Sequence, residues 1–568
     1  MRHLVIRLLL GFALAGWAWA DPRESTASPP PVSQPESGES ANDSAASSSA
    51  DVSTDPDSVL ERALKFERQR NWASALEVYQ TAVEKWPGRV EFGRRMRLCE
   101  IHFKLARRYQ DVSFRNVLLL LPEEQALELY REVLERILSQ YVDAVPLEPL
   151  LRRGLDNMEV ALRDPNFLKQ NVGTTEPSRV TWLRESLRQR RSSLAIPDHE
   201  TAVREVLAAA SLAKQAIGLS STPVILEFTC GACDALDDFT SYLTPSKLED
   251  LYAMIDGNFV GLGVELKADP DGLRIVGVIR GGPAWEAGLV AGDQITAVGG
   301  RTIKGLNLDD AANKLQGTEG TSIEIQVVRK DGSAQPYRLV RRHVDVESVT
   351  KIQLIDPEKK IGYLQLTGFQ KTSPDEIDSA VTELRNKGMQ AMILDLRGNP
   401  GGLLNVAVEI ADRFISQGVI VSTRGRANGQ NQIFRATGQG RWNFPLLVLI
   451  DHDSASASEI LAGALQDHQR ATVVGERSYG KGSVQSIFSL RSAPAGLKLT
   501  TAKFYSPKNR PYSEQGVSPD IAIKTRVAAK PNAKSPAPGD GVEFGDPASD
   551  MVLAAAIRAA KEQLSPVR

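Results

Sequence analysis

Leu446-Leu447-Val448-Leu449-Ile450-Asp451-His452-Asp453-Ser454-Ala455-Ser456-Ala457-Ser458-Glu459-Ile460-Leu461-Ala462-Gly463-Ala464-Leu465 is the stretch on which the reading of this chain turns. Its first five residues form an unbroken apolar run, the pattern of a buried strand. From Glu459 onward the pattern is helical. A strand, a tight turn and a helix, with a serine at the turn, expose a hydroxyl and aim the unpaired N–H groups of the first helical turn at one point. That arrangement presents a nucleophile and receives the oxyanion it generates. A second string, Tyr479-Gly480-Lys481-Gly482-Ser483-Val484-Gln485, places a lysine between glycines, where backbone can come close to a ligand. Together the strings suggest a hydrolase with a serine nucleophile and a lysine base.

Around this centre strands and helices alternate from about Ser348. Ile361 to Leu366 reads as a strand, Ser373 to Lys387 as an amphipathic helix, and Met392 to Leu396 as a buried strand. That strand runs into Arg397-Gly398-Asn399-Pro400-Gly401-Gly402, and Leu404 to Phe414 is helical again. Alternation of this kind predicts an α/β core. The tail beyond Lys524 reads as a Pro-rich linker followed by a helix over Ala548–Leu564.

Upstream, near Phe259, the pattern changes to short strands and turns. Val260-Gly261-Leu262-Gly263-Val264-Glu265-Leu266 opens a strand, Asp269-Pro270-Asp271-Gly272 is a turn signal, and Leu308 to Leu315 is a helix. With Pro283-Ala284, Ala287-Gly288-Leu289 and Gly292-Asp293, the segment resembles a PDZ domain. The resemblance makes Gly261, Leu262, Gly263 and Val264 a loop whose N–H groups capture a peptide C-terminus, and makes the next strand a partner for the peptide backbone. A small β domain serving as a spacer is the alternative.

The N-terminal part is helical. Trp72, Ala75, Tyr79 and Ala82 recur at helical spacing before Pro87, as in one tetratricopeptide-type repeat or a plain helical hairpin. Helical periodicity continues through 89–110, 123–164 and 178–219, with Leu127, Tyr130, Leu134 and Ile137 as an apolar stripe. Before the helices, Arg2 and Arg7 precede an apolar stretch from Leu8 to Trp17, and Ala18-Trp19-Ala20 fits a small-x-small cleavage site, so a secretory signal peptide is expected. Residues from Asp21 to about Pro56 are Ser-, Pro- and acid-rich and read as a disordered linker.

At 568 residues the chain is too long for one core. A formal net charge of −2 gives no reason to expect nucleic acid or an acidic substrate. Cys99 stands alone, and Cys230-Gly231-Ala232-Cys233 is a CxxC. In an exported chain that pair reads as structural, with a disulfide permitted and a thiol oxidoreductase as the rival reading. No second pair completes a tetrahedral zinc site.

Several strings together resemble the C-terminal processing (tail-specific) serine peptidases with a Ser–Lys dyad and a PDZ domain. They are Leu236–Leu243, the PDZ segment, Leu394–Gly402, Ser454–Ile460, Gly480–Gln485 and Gly516-Val517-Ser518-Pro519-Asp520. The resemblance implies a multidomain protein: an α-helical N-terminal region, a small β-rich PDZ domain and an α/β serine peptidase core. The expected boundaries are 1–20 signal peptide, 21–57 linker, 58–110 repeat-like helices, 111–254 helical region, 255–343 PDZ domain, 344–526 peptidase core, 527–547 Pro-rich linker and 548–568 C-terminal helix. It makes Ser456 the nucleophile, Lys481 the general base and Gln485 the residue that orients the lysine. It places the oxyanion hole at the N–H of Ala457 with that of Gly401 or Gly402. No metal or organic cofactor is implied. The implied partners are protein substrates held by their C-terminal peptides, with an adaptor or self-association through the helical region. The implied address is the periplasm or cell envelope, or secretion. A catalytically dead PDZ scaffold is the other rival.

The chemistry fits these residue types. A serine hydroxyl needs a base, and lysine serves only when neutral, against an ordinary pKa of about 10.4. The sequence neighbours of Lys481 include no acid, and a neutral amide at Gln485 could hold the amine without restoring its charge. Ser456-x-x-Glu459 also reads as a capping box, which would make the serine a helix cap. His468 would lie about 18 Å beyond Ser456 along a continuous helix. His452, in the turn itself, is close enough to be a base, although the resemblance gives it no role.

Overall fold

The structure, a computed structural model, describes residues 55–306, 308–438, 440, 442–523, 545–547 and 549–565. The expected signal peptide, nearly all of the expected linker over 21–57 and most of the expected Pro-rich linker over 527–547 lie outside the described residues. The chain forms two compact units. One is built from 55–131 and 147–236, the other from 132–146 and 237 to the end.

The first unit is helical. It starts at Pro56, inside the segment expected as linker, because Asp55 caps the helix Pro56–Arg68 by accepting the Ser58 N–H at 3.0 Å and proline suits the first turn. Ala63, Ala75, Tyr79, Ala82 and Phe92 form its first core. The CxxC lies in the buried helix Ser221–Asp234, and Cys230 and Cys233 are free thiols, not a disulfide. The glycine between them has a packing reason. A Cβ on Gly231 would come within 2.5 Å of the Gly154 backbone, so the helix Leu147–Ala161 crosses at that point. Arg108 pairs with Glu227 at 2.5 Å and Lys104 with Asp234 at 3.1 Å beside these thiols. Burial pushes the Cys233 thiol far up and the Cys99 thiol to about 12. Both cysteines of the CxxC are buried, away from any reacting partner in solvent, which favours the structural reading over the oxidoreductase one.

The second unit contains two substructures. The expected PDZ segment is a β domain. Val264–Asp269, Gly272–Val278, Gln294–Val298, Ser322–Val328 and Ala334–Val340 form a sheet in that order. Leu262, Leu266, Ile275, Ile295, Ala311, Leu315 and Ile325 are in its core. The peptidase segment is a six-stranded sheet in strict chain order: β1 (Val349–Asp356), β2 (Ile361–Leu366), β3 (Ala391–Asp395), β4 (Leu446–Ile450), β5 (Thr472–Gly475) and β6 (Ile521–Ala522). The pair β1–β2 is antiparallel; every later pair is parallel. Helices α1 (Ser373–Asn386), α2 (Leu404–Asp412) and α3 (Ala457–Asp467) cover one face. Helix α4 (Met551–Leu564), shorter than the expected 548–568, covers the other. Strand alternation sorts the residues: Met392, Leu394 and Leu396 face α1–α3, whereas Ala391 and Ile393 face α4.

Residues 132–146 and 237–254, expected within the helical region, belong to this second unit. Glu132 accepts the N–H groups of Arg491 and Ser492, Val142 N–H bonds Thr500, and strand Ser241–Leu243 pairs with Gly496–Lys498. The long strand Gly496–Tyr505 also pairs with Ser483–Ser489 and Val419–Gly425.

The buried thiols generate a test. In native protein none of Cys99, Cys230 and Cys233 should react quickly with a disulfide reagent, and all three should react after denaturation without reductant. Two fast native thiols, or a single thiol after denaturation, would restore a redox or disulfide role.

Candidate active site

Ser456 sits between β4 and α3 at φ 56° and ψ −113°, a strained conformation for a residue with a side chain. The strain is held from two sides. The Asn399 carbonyl accepts the Ala455 N–H at 3.0 Å and the Ser458 hydroxyl at 2.9 Å. Glu459 accepts the Ser456 N–H at 2.8 Å. The half of the capping box expected from sequence that uses the carboxylate is therefore present.

Glu459 does more than cap. Its Oε2 also accepts the Lys481 N–H at 2.9 Å, and its Oε1 accepts the Gly480 N–H at 2.7 Å and the Ser478 hydroxyl at 2.6 Å. One buried carboxylate thus binds the backbone of both the serine and the lysine. Burial pushes its carboxyl up, and the four donors oppose that. Ser478 accepts the Val517 N–H at 2.6 Å, which explains why Gly516–Asp520 belongs with the site strings.

The Lys481 amine lies 4.7 Å from the centre of the Phe239 ring, a cation–π contact, rather than in hydrogen-bond contact with Ser456. Burial lowers its pKa, while Glu459 and Asp237 raise it. The expectation that no acid lies near the lysine held only along the chain; in space two carboxylates are close. Asp237 is fixed by the N–H groups of Phe239 and Thr240 and by the Tyr141 hydroxyl. Lys498, not singled out from sequence, is pushed down to about 8 by burial and by Lys481, with Asp237 opposing. Gln485 donates to Ser483 Oγ at 3.0 Å and Thr500 Oγ1 at 3.3 Å, not to Lys481.

Gly401 touches the nucleophile turn. A Cβ there would lie 2.8 Å from Ser456 Cβ and 2.9 Å from the Ala457 nitrogen, at φ +103°. Its own N–H is bonded to Asn399 Oδ1 at 2.8 Å. Gly402 forms a parallel bridge opposite Phe369, whose N–H and C=O bond Gly401 and Leu403, so the Gly402 N–H points the other way.

His468 caps the end of α3 and bonds the Val419 carbonyl at 2.7 Å. His452 is exposed beside Asp453. Asp451, His452 and Asp453 are the only metal-like grouping among the described residues, and Asp451 is already engaged by the N–H groups of Gly398, Asp453 and Ser454.

In the PDZ segment the carbonyls of Leu262 and Gly263 are bonded by Ala284 and Ile279. Their N–H groups have no partner among the described residues. The strand Val264–Asp269 is a sheet edge over the apolar Leu262, Leu266, Ala311 and Leu315.

A strained serine between strand and helix, a half-desolvated lysine tied to it through one carboxylate, and an edge strand beside a free N–H loop define a serine peptidase with a peptide-binding domain. Residues 360–523 match peptidase family S41 and residues 274–329 match the PDZ domain. The chain is 38% identical over 305 residues to the carboxy-terminal-processing protease of Bartonella bacilliformis, covering 52% of this chain and 68% of that one. It is 36% identical over 306 residues to the carboxyl-terminal-processing protease of Synechocystis sp., covering 53% and 71%. A solved photosystem II D1 C-terminal processing protease is similar over 70% of this chain and 93% of its own, at 25% identity and a TM-score of 0.38. The chain belongs to the carboxyl-terminal-processing proteases of peptidase family S41.

Glu459→Gln tests the carboxylate. The amide keeps one acceptor and turns a donor toward two buried donors, so stability should fall by about 1–3 kcal/mol and activity by at least tenfold. The residual kcat/KM should rise with pH at a lower midpoint than wild type, because a charge that favours the ammonium has gone. Gln485→Glu should move the midpoint up. Unshifted midpoints in kcat/KM against pH would show that Lys481 is not the titrating base.

Proposed function

We propose that this peptidase is exported and cuts protein substrates recognised through their C-terminal tails, with Ser456 as nucleophile, Lys481 as general base and Gln485 as the residue whose amide oxygen orients the lysine amine once it has turned toward Ser456. The carrying observation is that Glu459 fixes the backbones of Ser456 and Lys481 together. In the reaction the Lys481 amine turns from the Phe239 ring toward Ser456 and takes the hydroxyl proton as Oγ bonds the scissile carbonyl carbon. The oxyanion accepts from the N–H of Ala457, at the first position of α3, and from that of Gly402. Gly402 is preferred over Gly401 because the Gly401 N–H is already used by Asn399. Collapse of the tetrahedral species breaks the C–N bond, and the ammonium returns its proton to the leaving amine. Water then cleaves the acyl-enzyme with the same base.

Tail recognition is supported by the free N–H groups of Leu262 and Gly263 and by the edge strand beside them, which suit a terminal carboxylate and an added strand. Export is supported by Arg2, Arg7 and the apolar stretch before Ala18-Trp19-Ala20. The helical unit is assigned to an adaptor or to self-association, since its repeat-like spacing suits protein contacts.

Two measurements follow. Ser456→Ala should lose peptidase activity with at most about 2 kcal/mol of stability, the range for a cap residue; cleavage at the wild-type rate would remove it as the nucleophile. A substrate with an amidated C-terminus lacks the charge that the loop grips, and its KM should rise at least tenfold over the free acid. Equal KM values would make the PDZ domain a spacer.

A further inference from the structure

The loop Gly398–Gly402 carries the proposed oxyanion donor, and most of its anchors come from nearby in the fold. Gly398 N–H bonds Asp451 at 3.0 Å, and Asn399 Nδ2 bonds the Leu366 carbonyl at 2.8 Å. The root of the loop is Arg397, at 2% exposure, on the sheet face opposite α1–α3. Its guanidinium bonds Asp395 through Nε and Nη2, the latter at 2.6 Å. A second, bidentate pair goes to Asp550, at 2.9 Å through Nη1 and 2.6 Å through Nη2. Tyr363 completes the cluster by donating to Asp395 at 2.8 Å.

Asp550 lies 153 residues from Arg397 in sequence. It is the N-cap of α4, accepting the Leu553 N–H at 3.0 Å. The docking of α4 on the sheet therefore delivers a buried carboxylate to the base of the loop. A fork-to-fork Arg–carboxylate pair fixes position and plane together. Asp395, the last residue of β3 and two positions before Arg397, restrains it from its own segment of chain; Asp550 restrains it from beneath.

We propose that Asp550 is a positioning residue for the reaction: by clamping Arg397 it holds the Gly398–Gly402 loop at the height where the Gly402 N–H meets the oxyanion. The C-terminal helix is thereby part of the catalytic apparatus without touching substrate. This rests on the oxyanion-hole reading given above.

Asp550→Asn isolates the clamp. Asparagine is as good a helix cap as aspartate, but its amide turns N–H donors toward a guanidinium that has none to accept. In the full-length protein kcat should fall at least about tenfold, toward the 10²–10³-fold typical of losing an oxyanion donor. KM should stay within about twofold, because peptide binding lies elsewhere. The midpoint of the pH profile should not move, because Lys481 is untouched. Leu553→Ala is the control: it weakens α4 packing without contacting Arg397 and should keep full kcat at temperatures well below its Tm. If Asp550→Asn does not accumulate, Asp550→Ser keeps the cap, leaves Arg397 with Asp395 alone, and should show the same kcat loss. Full kcat in whichever of the two folds overturns the proposal. Amide exchange over 398–403 gives a second readout, independent of the chemistry: exchange should be faster in Asp550→Asn than in Leu553→Ala. Equal exchange also overturns the clamp, whereas faster exchange with an active Ser456→Ala enzyme would place the error in the reading of the site.

Discussion

Everything at the candidate site depends on the carboxylate of Glu459. Four donors converge on its two oxygens, from Ser456, Ser478, Gly480 and Lys481. Two belong to the nucleophile and the base, and the other two to the chain that returns from β5 to the lysine. A hydrogen bond to an ionised group contributes about 1.5–3 kcal/mol. A residue at a sparsely populated backbone conformation costs about 1–3 kcal/mol. One such bond is enough to hold Ser456 at its positive φ, and the others fix where the lysine leaves the backbone. The same interaction sets a conflict: the carboxylate that positions Lys481 also favours its ammonium. Burial, the larger influence, wins and lowers the Lys481 pKa against both carboxylates, and burial together with the like charge of Lys481 lowers that of Lys498.

Much of this was legible locally. The buried run of β4, the serine turn and the glycines around Lys481 each have a shape that near neighbours determine, so strand, turn and helix follow from pattern alone. Glu459 was legible only as a cap, because its distance of three residues from Ser456 shows one of its four bonds. The rest arise where the chain returns after β5, which no local pattern encodes. The acid-free surroundings expected for Lys481 failed for the same reason: Asp237 is far away in sequence and comes into place through the pairing of Ser241–Leu243 with Gly496–Lys498. The CxxC, read as structural, is structural through packing and without a disulfide. Its spacing is also that of adjacent positions on a helix, and its glycine answers to the Gly154 backbone rather than to redox chemistry.

The oxyanion loop illustrates how sheet alternation decides function. Leu394 and Leu396 face the helices that carry the nucleophile, so Asp395 and Arg397 must face α4. Two charged residues at the end of a strand buried on both faces would be prohibitive unless paired. Burial works against the Asp550 carboxyl, yet the Arg397 pair holds it below its ordinary value. The requirement to satisfy Arg397 therefore recruits a residue from the far end of the chain. A local strand pattern thus imposes a long-range contact, and the turn that follows β3 inherits the rigidity of both sheet faces.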